Sequence, residues 1–154
     1  MTRLTTLLFM GITGLAMSAC PGSDTNRVDE GDYAVSSVQG HDGTDLAEIQ
    51  AAELTVDRSN QSASFTLAGG TQLTVEWNDT RWISGCPTMQ GSTKLEVVEI
   101  SDATLLIGSM EFVNPVLAAT CGDEIVLTEA TSAATGSSPC GQSAAKCLTF
   151  QRTP

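Results

Sequence analysis

The chain is poor in the residues from which most catalytic and metal sites are built. His41 is the one histidine in 154 residues, and the five cysteines include no C-x-x-C pair. A Ser-His-Asp relay would have to run through His41, and no G-x-S-x-G elbow is present to display a serine. Zinc held by paired thiolates is disfavoured by the same cysteine spacing. Cations are scarce as well: seven Lys and Arg stand against eighteen Asp and Glu, a formal charge of −11. That excess argues against nucleic acid, whose phosphates are bound through Lys and Arg, and equally against electrostatic docking on anionic lipid. No apolar run reaches the roughly 20 residues that a membrane-spanning helix needs. Neither a helix-length 3.6-residue pattern nor an internal repeat is evident, and no cofactor or metal is implied.

What is present begins with an export signal. Arg3 precedes a mostly apolar stretch from Leu4 to Met17, which ends in Met17-Ser18-Ala19-Cys20. A basic start, a short apolar core and a small-residue exit form a secretory signal. The exit resembles the lipobox of bacterial lipoproteins, with Met17 where that family favours Leu. The resemblance implies removal of residues 1–19 and a diacylglyceryl thioether on Cys20, whose new amino group is usually acylated too. Two or three acyl chains make a stable anchor where one is marginal. Pro21, in place of the Asp that retains such proteins at the inner membrane, implies the outer membrane in a Gram-negative cell.

Setting Cys20 aside leaves an even set, Cys86, Cys121, Cys140 and Cys147, which in an oxidising compartment points to two disulfides. Three pairings are open. Cys140 with Cys147 is preferred, because the small residues between them let the ends meet, and Cys86 with Cys121 then follows. Chain entropy assigns about 2.5 kcal/mol to the shorter loop and about 3.8 kcal/mol to the longer. Loss of Arg3 takes the charge of the mature chain to −12. Residues 20–31 are expected to be the lipidated end and a flexible tether reaching roughly 15–20 Å, and residues 32–154 a single β-domain.

Within that domain short strands alternate with turn residues. In Ser62–Leu67 the residues Ala63, Phe65 and Leu67 alternate with polar ones. Leu73, Val75 and Trp77 do so in Gln72–Asn78, and Gly69-Gly70 between the two suits a tight hairpin. Further strands are expected at Tyr33–Val38, Glu48–Val56, Thr93–Ile100, Thr104–Phe112, Asp123–Glu129 and Cys147–Arg152, with a short helix as the alternative over Ala47–Ala52. The pattern predicts an all-β fold, a small antiparallel barrel or sandwich of about eight strands braced by disulfides.

The densest polar cluster is His41-Asp42-Gly43-Thr44-Asp45, near Asp29, Glu30 and Asp32. It lacks the spacing of a twelve-residue calcium loop and is read as a solvated turn. Tyr33, Trp77, Trp82, Phe65, Phe112 and Phe150 are read as core before pocket lining. Gly85-Cys86-Pro87 to Gly91, with Thr120-Cys121 downstream, resembles META-type bacterial lipoproteins, small β-domains with a glycine-cysteine turn. Pro87 replaces the usual Asn and the cysteines lie farther apart, so no functional residue is carried over. The expected role is a non-enzymatic binding or structural module on the cell envelope, with a membrane reached through Cys20 and a protein partner of basic character. The alternatives are a carrier of a small apolar ligand, or an inhibitor of a cationic protein such as a lysozyme. An enzyme using acidic residues ranks last.

Mass mapping of the mature protein without reduction should find no free thiol and should join Cys140 to Cys147 and Cys86 to Cys121. A crossed pairing, or a thiol that alkylates in the native protein, would refute this assignment.

Overall fold

The computed structural model describes residues 25–84, 94–130, 140 and 146–154. The elements are β1 (Thr25–Asn26), β2 (Gly31–Gln39), α1 (Leu46–Gln50), β3 (Glu53–Asp57), β4 (Ser62–Thr66), β5 (Gln72–Ser84), β6 (Lys94–Ile100), β7 (Thr104–Ile107), β8 (Met110–Val113), β9 (Pro115–Ala119), β10 (Glu124–Glu129) and β11 (Cys147–Arg152). Strands β2 to β6 run as an antiparallel meander, which continues through β9, β10 and β11 back to β2. The β6–β9 pairing, Val97 opposite Ala118 and Glu99 opposite Val116, closes the circle. Closure decides between the two expected architectures: the fold is an eight-stranded antiparallel barrel, not a sandwich.

Alternation sets which side chains enter the barrel. Phe65 stands opposite Leu54 on one side and Leu73 on the other, and Ala63 lies between Val56 and Val75. These six positions share the inward face. Phe65 and Phe150 meet inside with ring centroids 6.1 Å apart, beside Tyr33, Val98, Ile100, Leu117, Ile125, Leu127 and Leu148. An eight-stranded barrel is narrow enough for such side chains to fill. The outward face of β6 and β9 is apolar too. Val97, Val116 and Ala118 are buried there with Ile83 and Ala130 against them, so these strands show apolar runs without alternation. The Cys140–Cys147 disulfide lies at the start of β11.

Three stretches differ from expectation. Ala47–Ala52 takes the helical alternative as α1, with Ile49 buried and β3 beginning only at Glu53. Thr104–Phe112 is not one strand but the hairpin β7–β8, turned at Gly108 with φ +59°. A Cβ at Gly108 would lie 2.8 Å from both Asp45 Oδ2 and Ile49 Cγ1, so the turn needs glycine for space as well as for its φ. Strand β9 was not anticipated. It opens on Pro115, is buried throughout, and follows Asn114 at φ +47°, so neither polar alternation nor a glycine turn marks it.

The hairpin β4–β5 offers the sharpest check on register. Phe65→Ala should cost about 3–5 kcal/mol, the transfer free energy plus the cavity. Thr74→Ala, on the exposed face, should change stability by less than about 1 kcal/mol. Equal urea midpoints for the two variants would mean that the inward face is misassigned.

Candidate functional site

In an up-and-down barrel successive connections alternate between the two ends. One end, the mouth, therefore gathers the segment before β2, the β3–β4 turn, the β9–β10 turn and the residues after β11. The other end, the cap, gathers α1, the β4–β5 turn and the β7–β8 hairpin.

At the mouth the preceding chain enters the barrel. Thr25 and Asn26 pair in parallel with Lys94 and Leu95 of β6, and Asn26 Nδ2 donates to the Thr120 carbonyl at 2.6 Å. Val28 is fully buried among the core residues. Beside it sits Glu96, on the same face of β6 as Val98 and Ile100 and only 2% exposed. A carboxylate in such a place is costly unless every lone pair is used. Here Oε2 accepts from the Val28 N–H at 2.8 Å and from Arg58 Nη1 at 2.7 Å, and Oε1 accepts from Arg58 Nη2 at 3.1 Å. Arg58 Nη1 also donates to the Val28 carbonyl at 2.7 Å, and the guanidinium lies 5.2 Å from the centre of the Trp77 ring. Its hydrogen bonds to Glu96 hold Arg58 protonated, above its ordinary range. The β3–β4 turn aims Arg58 inward. Asp57 accepts from the Asn60 backbone N–H and side-chain amide, which keep its carboxyl below the usual range.

This arrangement revises the expected tether. Residues 25–31 are part of the domain, because Glu96 and Arg58 supply partners for the Val28 backbone and Thr120 one for the Asn26 side chain, in a segment that by itself has no periodicity and no apolar run. Around the mouth, Arg27 packs over Trp82 at 5.9 Å, and Arg152 over Tyr33 at the same distance. Burial, ahead of the neighbouring charges, raises the Tyr33 phenol above its ordinary value.

At the cap, Asp45 ties α1 to the hairpin. Its Oδ1 accepts from Ser109 Oγ and its Oδ2 from the Ser109 N–H, each at 2.7 Å. These bonds, the hydroxyl first, hold Asp45 below the usual carboxylate range. His41 Nε2 lies 3.1 Å from Asp45 Oδ1 but is not aligned for a hydrogen bond. The cluster expected to be a solvated turn is thus a joint, and its imidazole, 6% exposed, is tucked in. The three groups do not form a nucleophilic relay. Asp45 stands between Ser109 and His41, whereas general-base catalysis requires the imidazole to touch the hydroxyl.

The other expected sites divide by location. Cys20 and Cys86 lie outside the described residues, as do residues 1–19 and the Gly85–Gly91 turn. Cys121 is exposed and disulfide-bonded, and Cys140 is bonded to Cys147 as expected. Tyr33, Phe65, Phe112 and Phe150 are core residues, Trp77 borders the core, and Trp82 is exposed. Among the described residues no group of three or more His, Cys, Asp or Glu is placed to hold a metal ion. No family model matches the chain, and no curated protein or solved structure is detectably similar to it.

Glu96→Ala should destabilise the barrel by about 3 kcal/mol, the low end for a broken buried pair because Arg58 remains partly open to water. Replacing both partners, with Glu96→Met and Arg58→Met, should recover much of that loss. Additive losses in urea unfolding would show that the two side chains do not act as one unit.

Proposed function

We propose that the chain is an exported bacterial envelope lipoprotein, anchored through acylated Cys20, whose barrel is a non-enzymatic binding module acting through its outer surface. The observation that carries the reading of the barrel is how its interior is used. The protein's own side chains occupy it from both ends: Val28 from the mouth, and Ile49, Leu105, Ile107, Met110 and Phe112 from the cap, all at most 4% exposed. A carrier of an apolar ligand needs that volume for its cargo. The wrong order of Ser109, Asp45 and His41 weighs against hydrolytic chemistry through the sole imidazole.

The anchor rests on Met17-Ser18-Ala19-Cys20, and the position of Thr25 at the mouth suits it. Five residue steps from Cys20 span less than about 18 Å, so lipid at Cys20 would hold the mouth close to the bilayer. In a Gram-negative cell, Pro21 directs that placement to the outer membrane. The net charge of −12 on the mature chain favours a basic protein partner over nucleic acid or anionic lipid.

Cys20→Ser should abolish lipidation, leaving an unprocessed precursor or a protein released from the membrane fraction. If this variant still partitions into detergent at the mature mass, the lipoprotein reading is wrong.

A further inference from the structure

Four large hydrophobic side chains are exposed among the described residues, and three of them share the cap: Leu46 at 41%, Leu106 at 53% and Val113 at 46%. Scattered single cases would need no explanation, but these have a common structural origin. In the β7–β8 hairpin, Leu105, Ile107, Met110 and Phe112 point inward and are buried, so alternation turns Thr104, Leu106, Glu111 and Val113 outward. The hairpin cannot roll to hide Leu106 and Val113 without lifting four core side chains out of the barrel. Leu46 is held beside it, since its neighbour Asp45 is fastened to Ser109 at the hairpin turn.

The setting of these apolar residues is mainly acidic. Residues 41–50 and 102–113 contribute Asp42, Asp45, Glu48, Asp102 and Glu111 and contain no Lys or Arg. Glu129 joins them, its Oε1 accepting from the Val113 N–H at 3.1 Å. One cation lies close by, Lys146, which donates to the Glu111 carbonyl. At the mouth, by contrast, Asp29, Glu30, Asp32, Asp57, Glu96, Asp123 and Glu124 are interleaved with four cations, Arg27, Arg58, Lys94 and Arg152.

We propose that the surface formed by α1 and the β7–β8 hairpin docks a basic protein, whose apolar contact seats on Leu106, Val113 and Leu46 while its Lys and Arg face the surrounding carboxylates. The charge selects this occupant. A second copy would bring one acidic cap against another, and an anionic bilayer would be repelled. Direction agrees: the chain leaves for Cys20 from the mouth, so the cap faces away from the anchoring membrane. Only that orientation rests on the lipoprotein reading; the docking surface does not.

A photo-crosslinking residue placed at Leu106 or Val113 of the full-length chain, in its native envelope, tests the proposal, with Thr55 on the exposed face of β3 as control. Adducts are expected at the two cap positions and not at Thr55, to a protein of pI above about 9. That protein, once purified, should bind the full chain with affinity falling steeply as salt is raised. Leu106→Asp should weaken this binding at least about tenfold without moving the unfolding midpoint. Adducts to a second copy or to lipid, adducts to an acidic protein, equal labelling at Thr55, salt-insensitive binding or no adduct at all would each overturn it. Failure of the anchor is separately visible: a chain that carries no lipid yet still gives the basic adduct keeps the docking surface and loses the lipoprotein reading.

Discussion

The mouth of this barrel depends on one buried carboxylate. Glu96 stands where the alternation of β6 would place another aliphatic residue beside Val98 and Ile100. Burying its charge is unfavourable unless the site satisfies it completely. The Arg58 fork and the Val28 N–H do so, and the same guanidinium also takes the Val28 carbonyl. One ion pair thereby joins three parts of the chain that are distant in sequence: the segment before β2, the β3–β4 turn and β6. A hydrophobic pair of equal volume could match its stability, but it would not specify the position of the Val28 backbone. Specification of that kind is the better-attested use of buried charge.

The consequence is that the barrel has no open lumen at either end of its described core. Val28 closes the mouth, while the β7–β8 hairpin and Ile49 close the cap with side chains that merge into one core with the barrel wall. The cap joint follows the same logic in a milder form. Asp45 is exposed enough for water to share its charge, yet it spends both oxygens on Ser109, and Gly108 leaves room for it.

How far the sequence could be read follows from which physical signals are local. The β4–β5 hairpin was legible because period-two alternation and two adjacent glycines act within about twenty residues. The short disulfide was legible for a similar reason, its loop being small-residued and tight. Glu96 was not. In Lys94-Leu95-Glu96-Val97-Val98-Glu99-Ile100 its charge looks like a solvent-facing position, and its partners lie 38 and 68 residues away. The same non-locality concealed the ordering of residues 25–31, which have no apolar pattern of their own. Strand β9 escaped because both of its faces are buried, which removes the alternation that would reveal it. The role of Asp45 was hidden for want of Ser109, 64 residues on; the Gly108-Ser109 pair, between Leu105-Leu106-Ile107 and Met110, was the signal that could have found the hairpin.

Strand number fixes which end of the barrel the preceding chain reaches. An up-and-down barrel with an even number of strands begins and ends at the same end, so β2 opens and β11 finishes at the mouth. Any anchor preceding β2 is therefore attached at the end opposite α1 and the β7–β8 hairpin, whatever the length of the tether. The ion pair at Glu96 sharpens that geometry, since it fixes the Val28 backbone at the mouth. At the cap Leu46, Leu106 and Val113 stand exposed among carboxylates with Lys146 close by, while four of the six Lys and Arg among the described residues stand at the mouth.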